Sequence, residues 1–174
     1  MQNFDFTIGD TNFISLVDAQ AYESFVDEDW DLITDLLPHV IEQQHKGTIL
    51  MYQMTADGIE DDWKITISCE PVSVETYIKK TVNHITVTDH SLYLIDYTNL
   101  TMAAQFPDET IPDQDCAPFQ IELKNGRYAV TAYLFKDVDN ETITNKECDL
   151  LLVFQPYTDS LSYLNQQISW STFH

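Results

Sequence analysis

Alternation of apolar and polar residues predicts that most of this chain is β-strand. Successive side chains of a strand point to opposite faces, so one apolar residue in every two builds one buried face. This pattern runs through residues 3–8, 63–69 and 119–135. Shorter β-like runs occupy residues 13–17, 48–54, 82–87, 91–97 and 149–154. The pattern therefore predicts a mainly β protein.

Turn residues between these runs predict that neighbouring strands pair as hairpins. The runs 48–54 and 63–69 flank Ala56-Asp57-Gly58, which is typical of an acidic hairpin connection. Asn125-Gly126 separates the two halves of 119–135, and an Asn-Gly pair between alternating runs favours a tight hairpin.

One segment has helical spacing. Between residues 27 and 47 the apolar residues recur every three or four positions, acids crowd the start, and Gly47 suits the end. Pro38 predicts two short helices or one kinked helix. Residues 98–118 contain three prolines and predict an irregular loop. We predict a single domain over 1–174 of the mainly β (α+β) class, an antiparallel β-sandwich with one short helical insertion near residues 27–46.

Charge is the property that most restricts the function. The chain has 29 Asp and Glu against 8 Lys and Arg, a formal net charge of -21, while 44% apolar residues indicate a folded protein. Bare nucleic acid and anionic membranes are bound by neutralising their charge with Lys and Arg, so neither is an expected partner. A basic protein suits this chain better.

The residue types that carry common chemistry form no recognisable site. The three cysteines form no CxxC pair, no GxSxG sequence occurs, and four glycines provide no phosphate-binding loop. We expect no catalysis and no cofactor. Because the sequence has no basic leader and no apolar run of about 18 residues, we expect a cytoplasmic protein.

Two acidic clusters are the candidate partner-binding sites. Carboxylates two apart on a strand, or four apart on a helix, are separated by about 6 Å, which is close to the phosphate repeat of a nucleic-acid strand. Trp30 or Trp63 would supply an apolar anchor, although their periodic spacing favours the core. The candidate partner-binding residues are Asp27, Glu28, Asp29, Asp31, Asp57, Glu60, Asp61 and Asp62.

The order of segments resembles a known class of proteins. The chain begins with NFDFTIGDTNFISLVD, continues through an acidic helix and GTILMYQMTADG, and later contains FQIELKNGRYAVTAYLF. This order is similar to that of small acidic β-sandwich immunity and inhibitor proteins of bacterial nucleases, including the competence-associated nuclease inhibitor type. The resemblance implies a protein that neutralises a nuclease toxin without a cofactor.

Sequence and resemblance together favour an acidic inhibitor or immunity protein that binds a basic partner, most plausibly a nuclease toxin. Two other functions stay open. One is a non-catalytic structural or adaptor β-domain whose acidity serves solubility. The other is a metal-dependent enzyme that uses Asp and Glu as ligands.

Overall fold

Strands dominate the structure, as the alternating pattern predicts. A computed structural model of the protein describes residues 1–56, 58, 60–158 and 167–173, which contain eleven strands and two α-helices. The helices are α1 (Leu37–Lys46) and α2 (Tyr97–Gln105). The strands are β1 (Gln2–Phe6), β2 (Phe13–Val17), β3 (Ile49–Gln53), β4 (Trp63–Ser68), β5 (Lys79–Val87), β6 (Ser91–Asp96), β7 (Gln120–Glu122), β8 (Gly126–Leu134), β9 (Lys136–Asp137), β10 (Thr142–Ile143) and β11 (Leu150–Pro156).

The longer strands form two sheets. Five strands follow the order β1-β4-β11-β8-β5, and four follow the order β3-β2-β6-β7. All pairs in these sheets are antiparallel except β4 with β11, and β9 pairs separately with β10. The predicted antiparallel, mainly β fold is confirmed, with this one parallel pair added.

A shared apolar core joins the two sheets. Alternate residues of β8 and β11, such as Val130 and Leu152, contact alternate residues of β2 and β6, such as Leu16 and Leu94, in one buried cluster. Full burial of each such side chain contributes about 1.5–3 kcal/mol, so this cluster holds the sheets face to face as a sandwich.

Both helices cover the outer face of the four-stranded sheet. Val17 and Met51 point away from the shared core and pack with Val40 of α1 and Leu100 of α2. Helix α1 follows a five-residue π-helical turn (Leu32–Leu36) and ends at Gly47, whose φ of 75° is left-handed. The predicted helical insertion is confirmed, and Pro38 lies in the first turn of α1, where proline is tolerated.

The predicted hairpins are wrong. Strands β3 and β4 lie in different sheets, and β7 pairs with β6 while β8 pairs with β5 and β11. Each following strand instead joins the opposite sheet, where β4 pairs with β1 and β11, and β8 pairs with β5 and β11. Helix α2 also corrects the prediction of an irregular loop over 98–118, of which only the part after Gln105 is non-helical.

Candidate partner-binding surface

The helices α1 and α2 and the π-helical turn form a helical layer on the outer face of the four-stranded sheet. The first acidic cluster (Asp27, Glu28, Asp29 and Asp31) is fixed to this helical layer through its backbone. The amides of Val26 and Asp27 donate hydrogen bonds to the carbonyl of Ala104, at 2.8 and 3.2 Å. The side-chain amide of Gln105 donates to the carbonyl of Glu28 at 3.0 Å. Because these bonds use only the main chain of the cluster, its carboxylates stay exposed beside the end of α2.

Asp31 connects this cluster to the π-helical turn. Its Oδ1 accepts hydrogen bonds from the amides of Ile33 and Thr34, both at 2.9 Å. The bond from Thr34 is the largest cause that lowers the pKa of the Asp31 carboxyl below its ordinary value, and the bond from Ile33 is the next largest. The amide of Asp31 in turn donates to Oδ2 of Asp35 at 2.8 Å. Asp31 is therefore an ionised cap of the turn.

Positive charge is scarce around this cluster. Residues 18–45 include eight acids and neither Lys nor Arg, and residues 97–123 also lack both. Lys46 ends α1, where its Nζ lies 3.0 Å from Glu42 and 3.3 Å from Glu23. Within the described ranges, no member of the first cluster forms a salt bridge. Apart from Lys46, which is paired with Glu42 and Glu23, the helical layer therefore presents negative charge.

The second acidic cluster (Glu60, Asp61 and Asp62) has a different environment. Lys136 Nζ lies 3.1 Å from Oδ2 of Asp61, donates to the carbonyl of Asp62 at 2.7 Å, and sits 4.8 Å from the ring centre of Trp63. The hydroxyl of Thr11 donates to the carbonyl of Asp61 at 2.7 Å. Asp61 is thus partly neutralised. Asp57 lies outside the described residues.

The two clusters lie toward opposite ends of α2. The first contacts Ala104 and Gln105 at the end of the helix. The second binds Thr11, next to Asp10, whose carbonyl accepts from the amide of Tyr97 at the start of the helix at 2.8 Å. A helix of nine residues is about 13 Å long, so the two clusters flank one helix without touching through any described contact.

Apolar side chains are exposed among the acids of the helical layer. They include Phe25, Met102 and Phe106, and also Ile33 and Phe173, which line a groove of about 480 Å³. Trp63 is buried in the shared core, as its spacing favoured, and Trp30 packs half-buried against the helix-side core. Sequence reasoning missed the groove because its two walls are more than 120 residues apart in the chain.

Buried polar groups elsewhere have structural roles. Asp18 accepts hydrogen bonds from the backbone of Gln20 and Ala21 and from Thr88, and Asp96 caps α2 through the amide of Asn99 at 2.7 Å. The described part of the chain contains no cluster of three or more His, Cys, Asp or Glu side chains able to share a metal ion. Nor does it contain a helix with the length and apolar character needed to cross a membrane.

Two solved structures share this fold. One is ComJ of Bacillus subtilis, described as the inhibitor of the DNA-degrading activity of NucA; the other is the product of crocagin biosynthetic gene J. ComJ is 13% identical with a TM-score of 0.52, and the crocagin protein is 10% identical with a TM-score of 0.54. Each comparison covers 90% of this chain and 96% of the other. No protein-family model and no curated protein matches the sequence. The suspected resemblance to the competence-associated nuclease inhibitor type is confirmed as a likeness of fold.

Proposed function

We propose that this protein is a non-catalytic, cytoplasmic inhibitor that binds a basic partner, a nuclease, through the acidic helical layer. The observation that carries the proposal is the run of exposed carboxylates at Asp27, Glu28, Asp29 and Asp31, none of which forms a salt bridge among the described residues. Exposed carboxylates can occupy a cationic groove in place of phosphates, and charge complementarity accelerates encounter.

The likeness of fold supports the same function. ComJ carries the description of an inhibitor of a DNA-degrading activity, and 96% of its chain aligns with 90% of this one. We extend that activity here as a proposal, because a fold can host unrelated functions and the site must carry the argument. The first acidic cluster is the principal contact. The second cluster contributes less, since Lys136 pairs with Asp61 and donates to the carbonyl of Asp62.

The test measures inhibition of the cognate nuclease, which we expect to be encoded beside this gene. Equimolar protein should stop the degradation of plasmid DNA. Reversing Asp27, Glu28 and Asp29 to lysine should slow association at least tenfold at low ionic strength, because these groups supply the attractive field. The difference in association rate between the variant and the wild type should shrink as added salt shortens the Debye length.

The matched control reverses the second cluster. Glu60→Lys with Asp62→Lys is compared with Asp27→Lys with Glu28→Lys, so that each variant reverses two charges, but the former does so near Lys136 at the other end of α2. We expect a smaller loss of association rate than for the first cluster. Full DNA degradation in the presence of equimolar wild-type protein would refute inhibition, and equal losses for both variants would refute the assignment to the first cluster.

A further inference from the structure

We infer that the groove between α1 and the C-terminal segment 167–173 holds an apolar side chain of the basic partner, flanked there by Lys or Arg. This inference rests on the proposed function and specifies its contact. The groove has a volume of about 480 Å³, which is enough for one aromatic side chain with its flanking backbone. Its apolar lining consists of Ile33, Leu37, Pro38, Ile41, Ile168 and Phe173.

The helical wall of the groove is held in place by the acidic cluster. Ile33 is 52% exposed, although its amide is fixed by the carboxylate of Asp31 at 2.9 Å. Leu37 and Ile168 form the buried floor. A cation that approached Asp31 or Asp35 would therefore lie next to an apolar surface, so one ligand can satisfy both.

The opposite wall is fixed to the edge of the four-stranded sheet. The amide of Gln53 donates to the carbonyl of Ser169 at 3.0 Å, and the amide of Thr172 donates to Oε1 of Gln53 at 2.8 Å. The ring of Phe173 stacks on the buried Phe13, with ring centres 6.3 Å apart. Because both walls are anchored, the groove is formed before binding, and little ordering entropy opposes an incoming side chain.

The acids near the groove favour a cationic partner over a second copy of this chain as the occupant. The π-helical turn beside the groove carries Asp31 and Asp35, and no Lys or Arg occurs before Lys46. A second copy of this chain would bring another net charge of -21 against the same acids. Repulsion disfavours that arrangement, whereas an apolar residue between cationic neighbours matches the apolar lining and the acids that neighbour Ile33 in the π-helical turn.

Two synthetic peptides test this inference without the natural partner. The first has phenylalanine between two arginines on each side, and the second has glycine in place of phenylalanine. We expect the phenylalanine peptide to bind roughly tenfold more tightly or better in a calorimetric titration at low ionic strength, because it buries one aromatic side chain. The amide NMR signals of the protein that shift when this peptide binds should centre on Ile33, Ile41 and Phe173.

Ile33→Ser should remove most of the advantage of the phenylalanine peptide. Ile143→Ser is the matched control, because Ile143 is 59% exposed on β10, outside the helical layer, and should leave both affinities unchanged. Equal affinity of the two peptides, or an advantage that survives Ile33→Ser, would overturn the groove assignment. A dimer in sedimentation that Ile33→Ser dissociates would also overturn it, since a second copy would then be the occupant.

The same titrations separate this inference from the proposed function. If reversal of Asp27, Glu28 and Asp29 weakens both peptides while the two bind equally to the wild type, the acidic surface stands and the groove assignment fails. If neither peptide binds the wild-type protein, the attraction for cationic partners fails, and the groove assignment fails with it.

Discussion

Asp96 shows how a buried residue joins several segments. It ends β6, and its Oδ1 caps α2 by accepting from the amide of Asn99 while the Cys116 thiol lies 3.8 Å away. Gly9 packs so closely against this carboxylate that a Cβ at position 9 would overlap it. Burial raises the pKa of Asp96 to about 6, and the charges of Asp113 and Asp10 act in the same direction.

We predict that Asp96→Asn stabilises the protein near neutral pH. The folded pKa of about 6 exceeds the ordinary value of 3.8, so the fold favours the protonated acid. The contribution of Asp96 is fully favourable below about pH 4 and is lost as the pH rises through 6. Asparagine keeps the capping oxygen without the charge. The variant should therefore gain roughly 1–3 kcal/mol over the wild type between pH 4 and pH 7.

Chemical denaturation of both proteins across that pH range measures this gain. Asp108→Asn serves as the control, because Asp108 is an exposed acid of the loop after α2. Its replacement removes no buried group and should leave the free energy of unfolding almost unchanged. A difference between Asp96→Asn and wild type that stays constant from pH 4 to pH 7 would contradict the assigned cause.

At the scale of elements, the π-helical turn depends on one side chain. Asp31→Ala removes the acceptor for the amides of Ile33 and Thr34, and the loss of such a cap should lower the free energy of unfolding. Asp29→Ala is the matched control, because the Asp29 carboxylate accepts no described hydrogen bond and should cost almost nothing. Urea unfolding of both variants measures the difference, and equal stabilities would show that Asp31 does not cap the turn.

The sequence identified most elements but not how they pair. Alternation in residues 63–69 and 126–134 located β4 and β8, because burial of one face of a strand requires an apolar residue at every second position. Pairing is a contact between distant segments, and a turn such as Asn125-Gly126 reports only that the chain reverses. Helix α2 escaped prediction because it has nine residues, two threonines and only one short buried face.

The candidate site follows the same rule. The first acidic cluster could be located by counting local charge, because its members are neighbours in the sequence. The pairing of Asp61 with Lys136 joins residues 75 positions apart, so no local pattern distinguishes Asp61 from Asp29. The groove between Ile33 and Phe173 depends on a still longer separation. The sequence therefore shows where acids are dense. It does not show whether a distant cation pairs with them or whether an apolar groove lies nearby.

Across the whole molecule, the two sheets differ in their share of positive charge. Lys46 belongs to α1, and the other seven cations lie in or beside the five-stranded sheet and the β9–β10 pair. They are Lys64, Lys79, Lys80, Lys124, Arg127, Lys136 and Lys146. The helical layer therefore has fewer cations to offset its acids, which favours the approach of a cationic partner toward that side.

This uneven charge predicts how salt affects stability. Asp27→Asn, Glu28→Gln and Asp29→Asn neutralise three acids of the first cluster and change the net charge from -21 to -18. This change relieves repulsion among acids that form no salt bridge. We expect a higher Tm than that of the wild type at about 0.01 M salt, where the Debye length is about 30 Å. At about 1 M salt, where it is about 3 Å, the difference should vanish.

Asp61→Asn removes one negative charge of the same kind but weakens the contact with Lys136, a pair worth up to about 1 kcal/mol. It should therefore lower the Tm at low salt, opposite in sign to the triple variant, and screening should reduce this loss as well. Differential scanning calorimetry at the two salt concentrations compares the variants. Because both changes reduce net charge, shifts of the same sign would show that the number of charges, rather than their placement around α2, sets the stability of this fold.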